Sequence, residues 1–100
     1  MSDIPIVLNV HMEAVAGREK DLERELSSLI APTRGESGCL AYELHRDPEH
    51  SGKFMFFEKF KSQAALDEHV ASRHFKKFLD YRAESDPVAS VTVTKWQCIA

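Results

Sequence analysis

Five histidines are the obvious chemical vocabulary of this sequence, and their spacing limits what they can do. His69 and His74 are five residues apart, about 140° around an ideal helix, whereas two metal ligands on one helical face need a spacing of three or four. The two cysteines, Cys39 and Cys98, lie far apart and form no metal knuckle. No metal site is therefore expected. Nor is there a glycine-rich phosphate loop, a nucleophile elbow or a dinucleotide fingerprint, so no cofactor is expected either. Proton chemistry is what remains. Glu58 stands among Phe54, Phe56, Phe57 and Phe60, where burial would raise its pKa. His69 shares a helical face with Leu66 and Val70, and reads either as a hydrogen-bonded core residue or as an inward-facing base. His74 begins a helical turn beside Ser72, His11 sits near a strand end, and His45 and His50 flank a turn as surface residues.

These side chains must be held by short, alternating elements. Residues 4–12 form a β-rich run, with Pro5 near its start where a missing ladder donor is tolerable. From Gly17 onward Leu22, Leu26, Leu29 and Ile30 recur at helical spacing, and Pro32 is expected to kink or end that helix. Strands follow over 39–46 and 53–60, joined by the turn formers of 47–52 as a hairpin. Ser62 is a natural N-cap for a helix bearing Ala65, Leu66, His69 and Val70. A second helical stretch carries Phe75, Phe78, Leu79 and Arg82, Pro87 stops it, and 88–99 is the last strand. The order β-α-β-β-α-β is the split βαβ, ferredoxin-like α+β plan, with an antiparallel sheet and both helices on one face.

Alternation sorts the strand side chains into two sets. Ile6, Leu8, Val10, Met12, Leu40, Tyr42, Leu44, Met55, Phe57, Val91 and Val93 are assigned to the helices. Val7, Asn9, His11, Cys39, Ala41, Glu43, His45, Phe54, Phe56, Glu58, Phe60, Thr92, Thr94 and Trp96 then occupy the opposite face. Phenylalanines and a tryptophan there would exceed the apolar patch of an ordinary monomer, which predicts a homodimer paired through the sheet face. Asn9, His11 and Glu58, on neighbouring central strands, would converge on a cavity between sheet and partner.

Composition narrows the partners. The chain has 100 residues, 43% hydrophobic and 29% charged with a net charge of −3, which fits a single globular domain over 1–100. Its lysines and arginines are scattered, so nucleic acid is not expected. No apolar run reaches membrane-spanning length, and the opening MSDIPIVLNV lacks the pattern of a secretory signal. A cytoplasmic protein with two reduced thiols is the resulting expectation.

Three blocks carry a family resemblance. Glu36-Ser37-Gly38-Cys39-Leu40-Ala41-Tyr42-Glu43-Leu44-His45-Arg46-Asp47-Pro48 resembles the GC-x-x-Y-E-L-H-R-D stretch of antibiotic-biosynthesis-monooxygenase domains. Phe57-Glu58-Lys59-Phe60 is similar to their Y-E-x-W, and the run from Leu66 to Phe75 to their L-x-x-H-x-x-S/T-x-H-F. The resemblance implies a dimeric α+β barrel that oxygenates a quinol or polycyclic phenol with dioxygen, without metal, flavin or nicotinamide. Carried onto this chain, it makes His69 the base, Asn9 and His74 polar anchors, and Glu58 the group orienting a histidine. Phe56 and Trp96 become walls, with His11 and Phe60 as further substrate contacts. Phe60 departs from the usual tryptophan and Arg73 from a frequent proline. Leu79 stands where a haem-degrading branch has an iron-ligating histidine, which argues against haem. Two other functions fit the same residues: a cofactor-free isomerase of a small carbonyl compound, and a non-enzymatic dimer that binds a hydrophobic metabolite.

Overall fold

A computed structural model describes residues 3–100; Met1 and Ser2, with which the amino-terminal reading and the 1–100 domain range begin, lie outside the described residues. The chain forms β1 (Ile6–Ala14), α1 (Glu19–Ser28), α2 (Ile30–Arg34), β2 (Cys39–Asp47), β3 (His50–Phe60), α3 (Gln63–Val70), α4 (Arg73–Ser85) and β4 (Val88–Gln97). The four strands make one antiparallel sheet in the order β2-β3-β1-β4, with β1 and β3 central. This is the ferredoxin-like α+β plan, with each connecting helix broken in two. Pro32 breaks the first helix, though not at its own position: its ring and missing N–H bar the bond to the Ser28 carbonyl four residues back, α1 ends at Ser28, and Pro32 sits in the first turn of α2. The second connection breaks because Ser72 starts a new helix, its hydroxyl accepting from the Phe75 N–H just as Ser62 accepts from Ala65 at the start of α3.

The register corrects one assignment with large consequences. Val10 lies opposite Phe56, Leu8 opposite Glu58 and Ile6 opposite Phe60. Directly opposed residues share a sheet face. Phe54, Phe56, Glu58 and Phe60 therefore join Ile6, Leu8 and Val10 beneath the helices, all buried, while Met55, Phe57 and Lys59 point to the open face. The sequence-based phase of β3 was inverted because Phe54, Met55, Phe56 and Phe57 are apolar on both parities, so alternation there does not choose a side. Leu40 also leaves the core: β2 shifts register between Cys39 and Ala41, and Leu40 is exposed.

The core lies between the helix-facing side of the sheet and the buried stripe of α1, where Leu22 and Leu26 are sealed with Leu29, Phe60 and Phe78. Gly38 lets the start of β2 meet α3. A Cβ built there would lie 2.3 Å from the Ala65 Cβ, inside any allowed contact. The edge strand β4 receives little cover, and Val91 and Val93 are exposed although they face the helix side.

Candidate active site

Since the helices do not reach across β4, a cavity of about 260 Å³ opens between the sheet and the helices α3 and α4. Its floor is built from Leu8, Val10, Tyr42, Phe56, Glu58, Val91 and Val93, and its roof from Leu66, His69, Val70, Phe75, Phe78, Leu79 and Arg82. The walls are almost wholly apolar. Arg82 is tied to Asp86 through two contacts of 3.1 Å, which leaves Glu58, His69 and the Tyr42 hydroxyl as the polar groups of the interior. Burial holds the Tyr42 phenol far above its ordinary pKa, so it stays protonated.

His69 is 2% exposed and packed among aromatic rings, with Phe60 at 5.0 Å, Phe75 at 5.1 Å and Tyr42 edge-on at 5.6 Å. Its Nδ1 lies 2.9 Å from Oε2 of Glu36. A carboxylate can only accept, so Nδ1 carries the hydrogen and Nε2 is the nitrogen left to the cavity that His69 lines. His74 reaches the same carboxylate oxygen through Nε2, at 2.5 Å. The five-residue spacing did not keep the two histidines apart, because α3 ends at Val70 and α4 starts at Arg73 in a new direction. Helical-wheel spacing holds only within one continuous helix, and the Ser72 cap starts a second one.

Glu58 is buried on the cavity floor, and no hydrogen bond reaches its carboxyl from the described residues. Its pKa is pushed up to about 7, first by burial and second by the nearby charge of Glu36. Near neutral pH it is thus a carboxyl poised between its acid and base forms.

The structure brings together His69, Glu58 and Phe56 on the cavity, with His74 behind His69. It separates the others. Phe60 is fully buried beside the His69 ring and belongs to the core, not to the cavity wall. Asn9 pairs with Phe57, His11 with Met55, and Trp96 with Val7, all on the open face of the sheet. The expected convergence of Asn9, His11 and Glu58 does not occur, since Glu58 projects from the opposite side. Nor does Glu58 orient a histidine; Glu36 does. The sequence reading missed Glu36 because it lies in a turn between Gly35 and Gly38, although it heads the block that carries the family resemblance.

A family model described as "Antibiotic biosynthesis monooxygenase" matches residues 5–81, a span that includes Glu36, Glu58, His69 and His74. The chain belongs to that family. Among solved structures, PA3566 of Pseudomonas aeruginosa is similar at 35% identity with a TM-score of 0.89, covering 97% of this chain and 96% of that one. Rv0793 of Mycobacterium tuberculosis superposes with a TM-score of 0.86 at 28% identity, covering 96% of each chain. In sequence, the protein named "Putative monooxygenase Rv0793" is 42% identical over 59 residues, 59% of this chain and 54% of its own length. A Synechocystis protein, sll1783, is 29% identical over 79% of this chain and 54% of its own length. The chain thus spans about half the length of these two curated relatives. Family membership supports a monooxygenase-like role, and among the described residues no helix is long and apolar enough to cross a membrane.

Proposed function

We propose that this domain is a cofactor-independent monooxygenase of small phenols or quinols. The observation that carries the reading is an otherwise apolar cavity lined by both His69, whose Nδ1 is held by Glu36 so that Nε2 is left free, and Glu58, a carboxyl with a pKa of about 7. Two groups of that kind divide acid from base work at neutral pH. His69 Nε2 takes the phenol proton. The phenolate gives one electron to dioxygen, and the two radicals join at a ring carbon, forming a C–O bond. Glu58 gives a proton to the outer peroxide oxygen. The O–O bond and the C–H bond at that carbon then break, releasing water and leaving a carbonyl. The ring supplies all four electrons, one oxygen atom entering the quinone product and the other entering water. Dry apolar walls protect the radical pair from bulk water. At about 260 Å³ the cavity lies just under the roughly 300 Å³ lower end of ligand pockets, which favours one or two rings over a longer polycycle.

Oxygen uptake with a graded set of quinols tests this reading. His69→Ala should lower turnover by about 10²- to 10⁴-fold, the usual contribution of a positioned base, while the exposed His45→Ala leaves it unchanged. Near wild-type turnover in His69→Ala refutes the assignment. Turnover of a carbonyl substrate without oxygen would favour the isomerase.

The same reading includes a homodimer joined through the open sheet face, in a cytoplasmic setting that keeps Cys39 and Cys98 reduced. The phenylalanine cluster no longer supports the dimer, because it lies under the helices. What supports it is Trp96, 59% exposed on the same face as Val7, Met55 and Phe57.

A further inference from the structure

The geometry points to a second use for the cluster behind the cavity: Glu36, His69 and His74 form a binding site for one first-row divalent transition-metal ion. Their ligand atoms, Glu36 Oε2, His69 Nδ1 and His74 Nε2, all lie within 4.8 Å of one another. Two of the separations are 2.5 and 2.9 Å. Donors bonded to zinc at about 2.1 Å in its tetrahedral arrangement lie about 3.4 Å apart, so an ion would open these two separations by roughly 0.5–1 Å. Two imidazoles and one carboxylate suit zinc, cobalt, nickel or iron in the divalent state, and leave coordination positions open for water. A second observation concerns the other carboxylate oxygen. Among the described residues Glu36 Oε1 is buried without a hydrogen-bond partner, an arrangement that ordinarily costs free energy and that an ion bound to both oxygens would relieve. Access exists as well. Glu36 and His74 retain 18% and 22% side-chain exposure, and His74 borders a surface hollow that also touches Glu25.

Occupancy has a defined chemical consequence for the cavity. An ion on Nδ1 of His69 displaces the hydrogen that Glu36 accepts, so the neutral ring must carry its hydrogen on Nε2. That nitrogen then donates instead of accepting. The metal-bound protein keeps its cavity but loses its base, and bound metal inhibits turnover. This consequence rests on His69 being the base; the binding site itself does not.

The test uses the full chain, stripped with a chelator and titrated with Zn²⁺ by calorimetry and with Co²⁺ by visible absorption, without substrate. One ion per chain is expected. His74→Ala and Glu36→Gln should each weaken binding at least tenfold, with circular dichroism confirming that they fold. The double variant His45→Ala/His50→Ala removes exposed histidines that collect zinc adventitiously and should bind as the wild type does. Absence of stoichiometric binding, or equal affinity in His74→Ala, overturns the site. Oxygen uptake by chelated protein is measured separately. Activity without metal binding sinks this inference alone, and metal binding without activity sinks the proposed function alone.

Discussion

Removing the charge of Glu58 should stabilise the protein, and by an amount that depends on pH. The carboxyl has an ordinary value of 4.5 and is held at about 7 in the folded chain. A folded-state pKa above the unfolded one means that the native protein binds the extra proton between those two values. Its stability therefore falls as pH rises from about 4.5, and levels off above about 7. The gap, at about 1.4 kcal/mol per pH unit, corresponds to a penalty of about 3 kcal/mol at alkaline pH. Glu58→Gln keeps the shape and has no charge to desolvate. The difference between variant and wild type should be near zero at pH 4.5 and reach about 3 kcal/mol in favour of the variant at pH 9. With a urea dependence of roughly 1–3 kcal/mol per molar, the denaturation midpoint should rise by about 1 M or more. Protein concentration must match in both series, since association would add its own stabilisation. A variant advantage that is the same at both pH values would refute the desolvation argument, as would a variant less stable at pH 9. The substitution should also abolish the proton donor, so the more stable protein should turn over more slowly.

Trp96→Lys should convert the protein from dimer to monomer at micromolar concentration by sedimentation, since loss of a central interface aromatic costs about 2 kcal/mol or more; a monomeric wild type at that concentration would remove the premise. Gly38→Ala should lower stability by about 1–3 kcal/mol through the clash with Ala65. Its thermal midpoint checks the close approach of β2 to α3, and an unchanged midpoint would contradict it.

The fold was legible wherever one local rule had no competitor. Leu8, Val10 and Met12 alternate with Asn9, His11 and Glu13, which sets the phase of β1 despite Val7, and Ser62 announced the start of α3 by its own chemistry. β3 was illegible in phase because it is apolar on both faces, and one inverted strand carried Phe56 and Glu58 to the wrong side. The candidate site was therefore half visible. His69 and Glu58 stood out from their burial and residue type, but their common cavity depended on the pairing of β3 with β1. Glu36 was hidden for another reason. Its partners His69 and His74 are 33 and 38 residues away in sequence, and tertiary contacts such as the close approach of Gly38 to Ala65 bring the turn to them.

The exposed edge strand has a consequence for the life of the protein in a crowded solution. β4 pairs with β1 along one side only, and its outer side offers a row of free peptide N–H and C=O groups. Over Val88–Gln97 the sequence is VASVTVTKWQ, with a single charge, Lys95, to discourage a second strand from docking. Six of those residues, ASVTVT, combine β-branched side chains with no proline and no charge, the composition from which cross-β stacks grow. Unless another chain occupies this edge, Lys95 is the one charge along β4 that opposes such docking. Neutralising that lysine should make the protein precipitate by extending its own sheet from molecule to molecule, with no loss of stability in the fold itself.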